Sequence, residues 1–168
     1  MNTPPAALDA VFDHAAMAAR RIRDLLPIYR DLLGGIVDTG GDNQRVGYRA
    51  VQLRYGDDSR VELLEPLAGS TFLDSFLRRH PSGGLHHITF KVTSMEKALR
   101  ALREHGYTVH GESDADPTWH EVFLHPRDAF GTLVQIAQPG PGYDERPPLD
   151  LDALLAGQGP NGTGTPSP

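Results

Sequence analysis

The sequence predicts an α+β domain made of two βαβββ modules. Two observations carry this. Strand-like runs and one helical run recur in the same order in each half: a strand, a helix, then three strands. The same chemical pair also recurs at the same interval, Glu62 following His14 by 48 positions and Gln135 following His87 by 48. Sequence identity between the halves is low, so the repeat rests on pattern and interval.

In module one, Val11 to Ala18 reads as a strand. Ile22, Leu25, Leu26, Tyr29, Leu32 and Leu33 then repeat with the helical period, and the helix starts or bends at Pro27, which has no amide hydrogen to give the ladder. Gly34-Gly35 ends it. Ile36 to Thr39 is a short strand and GGDNQRVG a loop. Tyr48 to Tyr55 and Arg60 to Leu64 form a hairpin around Gly56-Asp57-Asp58-Ser59. A linker helix over about 70–80, in which Phe72, Leu73 and Phe76 read as packing, leads through Pro81-Ser82-Gly83-Gly84 to module two.

There, Leu85 to Val92 is a strand, and Ser94 caps a helix carrying Met95, Ala98, Leu99 and Leu102. His105-Gly106 stops that helix, and strands follow at Tyr107 to His110, His120 to Leu124 and Thr132 to Ala137. The domain spans about 9–138, with module one at about 9–67, the linker helix at about 68–84 and module two at about 85–138. From Pro139 onward, proline and glycine are too dense for a packed core, so 139–168 reads as a disordered tail, with LDLDALLAG in it as one or two helical turns able to dock on the body.

Composition narrows the function. At 168 residues the chain is long enough for one domain with a proper core. A formal net charge of −6 gives no electrostatic footprint for nucleic acid or an anionic membrane. The absence of cysteine excludes disulfides and thiolate metal sites. MNTPPAALDA lacks the basic start and apolar core of a secretory signal, and no apolar run approaches the roughly 20 residues that span a bilayer. A soluble cytoplasmic protein is expected. No glycine-rich phosphate loop is present, so neither ATP nor a nicotinamide cofactor is expected.

Strand phase then selects candidate ligands. Side chains alternate between faces, so apolar positions mark the helix-covered face. Val61 and Leu63, then Ile88, Phe90 and Val92, then Val134 and Ile136 take that face. Glu62, His87 and Gln135 fall on the other, and phase prefers His87 over His86. In FDHAAMAA small residues blur the phase, and His14 is placed by the repeat. Imidazole nitrogen with carboxylate or amide oxygen suits borderline and hard divalent cations. His14, Glu62, His87 and Gln135 are therefore expected to hold one such cation: cobalt, magnesium, manganese, nickel, zinc or iron.

Other groups read less sharply. His125 organises a turn with Pro126 and Asp128. His110, His120 and Glu121 are substrate-contact candidates whose strand phase is open. Tyr48, Gln52 and Arg54 share a face that lines the pocket or meets solvent, and Trp119 borders the cavity mouth or caps the core. Arg20, Arg21 and Arg23 meet a coenzyme A phosphate or form a solvated helix start, the second being the better reading.

The stretches VELLEP, GLHHITFKV and FLHPRDAFGTLVQI resemble the vicinal oxygen chelate superfamily of glyoxalases, bleomycin-resistance proteins and dioxygenases, and within it the methylmalonyl-CoA epimerases. The resemblance covers about Asp9 to Gln138. It implies a glyoxalase-like cupped mixed sheet with helices on its outer face, a divalent cation on the concave face, a homodimer, and a 1,3-dicarbonyl substrate such as an acyl-CoA, whose enolate the metal stabilises. Two departures from the family pattern stand out. LVQI places Gln135 where those epimerases carry Glu, and an amide cannot accept a proton. The loop GGDNQRVGYRA offers Asp42 and Asn43 where a Glu is usual. Glu62, conversely, is a carboxylate where several epimerases have Gln. The resemblance therefore points to a metal-dependent epimerase or isomerase with Glu62 as base and Asp42 or a water as its partner. The alternatives are another metal-dependent reaction on this scaffold (lyase, glyoxalase-type isomerase or dioxygenase) and a non-catalytic small-molecule binder.

Overall fold

The computed structural model describes residues 7–56, 58–143, 145 and 148–157. Strands are β1 (Val11–Ala18), β2 (Ile36–Asn43), β3 (Tyr48–Arg54), β4 (Arg60–Pro66), β5 (Gly84–Lys91), β6 (Val109–Asp116), β7 (Trp119–Leu124) and β8 (Leu133–Pro139). Helices are α1 (Asp74–Arg79), α2 (Met95–Glu104) and α3 (Leu151–Leu155).

Two compact units divide the chain. One runs up to Asp13 and resumes over His87–Glu145; the other holds His14–His86 and the segment after Glu145. In the His14 unit the strand order is β2-β3-β4-β1, with β1 parallel to β4 and the rest antiparallel. In the His87 unit it is β5-β8-β7-β6, with β5 parallel to β8 and the rest antiparallel. The same βαβββ topology thus occurs twice, one parallel pair followed by two hairpins in each module.

Alternation along the strands fixes where each core sits. In the His14 unit, Val51, Leu53 and Leu63 pack beneath Ile22, Leu25 and Leu26. Beyond Glu62 on the opposite face, Ala16, Ala18 and Leu64 meet Leu73 and Leu77 of the α1 segment. In the His87 unit, Val122 and Ile136 receive Met95, Ala98, Leu99 and Leu102 of α2. The Ser94 side chain caps α2 by accepting from the Lys97 amide at 3.3 Å, and Gly106, at a positive φ of 78° that glycine adopts without strain, ends it.

Several elements differ from the sequence reading, each for a local reason. The first helical connection is a 3-10 turn (Ile22–Asp24) followed by a π-helical turn (Pro27–Leu32), because Pro27 cannot donate to an α ladder. β2 continues through the residues read as a loop to Asn43. Gly40 permits this, since a Cβ there would lie 2.5 Å from the Ala50 carbonyl oxygen. β6 likewise extends to Asp116, and α1 is shorter than expected. Asp57 of the hairpin turn lies outside the described residues, as do 158–168 of the tail.

Within the tail, 151–155 is helical, inside the LDLDALLAG segment read as one or two helical turns. Asp150 caps α3 by accepting from Ala153 at 3.0 Å, and Leu151 and Leu154 enter the core of the His14 unit. Leucines spaced three apart present one apolar face, and that burial outweighs the glycine-rich flanks. Among the described residues no helix is long and apolar enough to cross a membrane. Leu154, 2% exposed, supplies the check: Leu154→Ala is expected to cost about 2–3 kcal/mol in urea unfolding, and a change within about 0.5 kcal/mol would show that α3 does not belong to the core.

Candidate functional site

In the His14 unit, register places Ala16 beside Glu62 and Glu62 beside Gln52, so His14, Glu62 and Gln52 share the face opposite Leu63 and Val51. His14 Nε2 lies 3.7 Å from Glu62 Oε2, and the two side chains are 3% and 14% exposed. Gln52 Nε2 donates to Glu62 Oε1 at 3.4 Å. A carboxylate accepts but does not donate, so the amide must turn its nitrogen toward Glu62. Gln52 Oε1 is then left buried with no hydrogen-bond partner.

Asp42 is not brought to Glu62. It pairs in register with Arg49, one position out of phase with Gln52, and so occupies the opposite face. Arg49 Nε and Nη2 donate to its two oxygens at 2.6 and 2.9 Å, and Arg49 Nη1 donates to Glu65 Oε1 at 3.3 Å. Glu65 Oε2 accepts from the Ile22 amide at 2.6 Å. The hydrogen bond to Asp42 raises the Arg49 guanidinium pKa above its usual value against the opposing effect of burial. Asp42, Arg49 and Glu65 thus clamp β2, β3 and β4 to the turn at Ile22.

In the His87 unit, Thr89 pairs with Gln135, Gln135 with Phe123, and Glu121 with Ala137. His87, Thr89, Gln135 and Glu121 therefore share the face opposite Ile136 and Val122. Thr89 Oγ1 donates to Gln135 Oε1 at 2.5 Å, and Gln135 Nε2 donates to Glu121 Oε2 at 2.5 Å. Trp119 Nε1 donates to that same carboxylate oxygen at 3.1 Å, and its ring stacks on Tyr143 at 4.8 Å.

The remaining candidates take other places. His86 packs against Phe76 and Phe72, with ring centroids 5.0 and 6.2 Å away, and burial pushes its pKa down to about 4, leaving a neutral imidazole. His125 Nδ1 accepts from the Arg127 amide at 3.1 Å and shapes its turn. His120 meets Glu112 at 3.3 Å, Arg21 pairs with Asp24, and Arg54 pairs with Asp58. Gln52 was legible only as one of three residues on a face. Glu121 was obscured by His120, an equally polar neighbour that left the phase of β7 open.

Burial singles out the two polar faces. Among the described residues the buried polar side chains are Asp13, His14, Gln52, His87, Thr89 and Gln135. Asp13 is paired with Lys91 at 2.7 Å; the other five lie on the faces just described. Burying such groups is costly unless each finds a partner, and the orphaned Gln52 oxygen alone costs about 1–3 kcal/mol. Imidazole nitrogen, carboxylate oxygen and an amide oxygen with one lone pair beyond its Thr89 bond are donor types that suit a divalent cation.

The Glyoxalase/Bleomycin resistance protein/Dioxygenase superfamily model matches residues 13–123. An ethylmalonyl-CoA/methylmalonyl-CoA epimerase of Cereibacter sphaeroides is 31% identical over 129 residues, covering 75% of this chain and 96% of that protein. The mitochondrial methylmalonyl-CoA epimerase of Homo sapiens is 28% identical over 131 residues, covering 75% and 72%. Among solved structures, a methylmalonyl-CoA epimerase in complex with methylmalonyl-CoA and NH4+ aligns with a TM-score of 0.65 at 25% identity, covering 77% of this chain and 94% of that one. The Mycobacterium tuberculosis methylmalonyl-CoA epimerase aligns with a TM-score of 0.70 at 23% identity, covering 86% and 97%, a likeness of fold. With the glyoxalase-like α+β fold and epimerases among its relatives, the chain belongs to the glyoxalase/bleomycin resistance protein/dioxygenase superfamily.

Proposed function

We propose that this chain is a divalent-metal-dependent epimerase acting on a methylmalonyl-CoA-like acyl-CoA or another 1,3-dicarbonyl, through a single domain over about 9–138. The observation that carries the reading is the repeated pair of a buried histidine and an oxygen-bearing side chain, each on the polar face of its module. His14, Glu62 and His87 would hold the cation with one nitrogen or oxygen atom apiece, and Gln135 with Oε1. Bound there, the cation would supply Lewis acidity to the substrate's two carbonyl oxygens and so acidify the carbon between them. A homodimer and a cytoplasmic location belong to the same proposal.

Proton transfer falls to this chain's own groups. Glu62 accepts the α-proton, since Gln135 cannot accept one at any ordinary pH. Its two oxygens let it face His14 through Oε2 while Gln52 holds Oε1. Asp42 is engaged by Arg49 on the other face, which favours water as the partner that returns a proton to the opposite side of the carbon. Once the product leaves, solvent relays the proton from Glu62 to the hydroxide so formed and the cycle closes.

Incubation of the metal-replete protein with methylmalonyl-CoA in heavy water is expected to exchange the α-proton, read by mass spectrometry. No exchange under those conditions rejects this substrate. Chelation should abolish exchange, and re-addition of a divalent cation should restore it. Glu62→Gln is expected to slow exchange by about 10²-fold or more, the usual contribution of a general base. Asp42→Asn should instead leave exchange within about threefold while lowering stability by about 1–2 kcal/mol; a loss of exchange comparable to that of Glu62→Gln would return Asp42 to the reaction.

A further inference from the structure

Each module carries one carboxylate–amide pair on its polar face, but the two are arranged oppositely. In the His14 unit the carboxylate, Glu62, is on β4 and its amide donor, Gln52, on the hairpin neighbour β3. In the His87 unit the amide, Gln135, is on β8 and the carboxylate, Glu121, on the hairpin neighbour β7. The charge has moved one strand over and the hydrogen bond has been kept.

That exchange has a chemical consequence for Gln135. A glutamine has a ligating end and a repelling end, since its oxygen can bind a cation and its NH2 group cannot. Glu121 accepts only, so its contact with Gln135 admits the nitrogen and refuses the oxygen. Turning the amide over would set Oε1 against the carboxylate oxygen at the 2.5 Å now spanned by a hydrogen bond. Thr89, fully buried, donates to Oε1 and occupies one of its two lone pairs, leaving the second for a ligand. Glu121 is itself held by Trp119, whose ring rests on the buried Tyr143.

We propose that Glu121 is a positioning residue that makes Gln135 an oxygen ligand, completing with Thr89 a clamp on the amide. The proposal rests on the reading of Gln135 as a ligand to a divalent cation.

Calorimetric titration of the full chain with Co²⁺ alone tests it, with thermal unfolding of each metal-free variant as the fold control. Glu121→Ala, which removes the acceptor, is expected to weaken Co²⁺ binding by about 10–100-fold, the usual effect of removing a group that orients a ligand; Glu121→Gln, whose oxygen the Trp119 donor would hold where Glu121 Oε2 now lies, should bind within about threefold of the parent chain. Parent-like affinity in Glu121→Ala overturns the proposal, as does a Glu121→Gln variant as weak as Glu121→Ala. If the parent chain itself binds no Co²⁺, the proposed function falls and this inference with it, whereas parent binding with an unaffected Glu121→Ala removes this inference alone.

Discussion

A carboxylate accepts hydrogen bonds and never donates them, and each module uses that asymmetry to set an amide. Glu62 fixes Gln52, and Glu121 fixes Gln135. Buried in a medium less polarisable than water, such contacts are stronger when made and more costly when broken. The polar faces therefore carry defined donors and acceptors rather than a set of rotatable groups, and the rest of the chemistry follows from which atom each group must show.

This arrangement depends on a division of labour imposed by the strand repeat of two. Alternate residues of β3, β4, β7 and β8 build the cores, so their neighbours are held in register without being part of the packing. Leu63 and Val51 secure the strands that carry Glu62 and Gln52; Val122 and Ile136 secure those that carry Glu121 and Gln135. Asp42, Arg49 and Glu65 reinforce the same strands from the apolar side. A group on the core-facing side can thus be charged and well ordered yet turned away from Glu62, which is the position of Asp42.

The legible parts of the molecule are those governed by local rules. Alternation in VELLEP, HHITFKV and LVQI put Glu62, His87 and Gln135 on the polar face, and the matched interval added His14, which no local pattern marked. Ser94 announced the start of α2 by its capping chemistry. What stayed hidden depends on partners distant in sequence. GGDN has the composition of a loop and becomes strand only because Ala50 approaches Gly40 closely. LDLDALL reads as helical turns, but which core receives Leu151 and Leu154 is set by residues far away in the chain. Glu121 could not be told from His120 until the register with β8 was known, and Asp42 could not be separated from Glu62 until its register with Arg49 was known.

The proposed function calls for one divalent cation per chain, whose binding needs both His14 and His87. Its most direct test is the molar ratio of bound metal to chain, measured by elemental mass spectrometry after equilibration with Co²⁺ and removal of the free ion. One ion per chain is the expected ratio, falling toward zero in His14→Ala and in His87→Ala alike. Two ions per chain, or one that survives loss of either histidine, would contradict it.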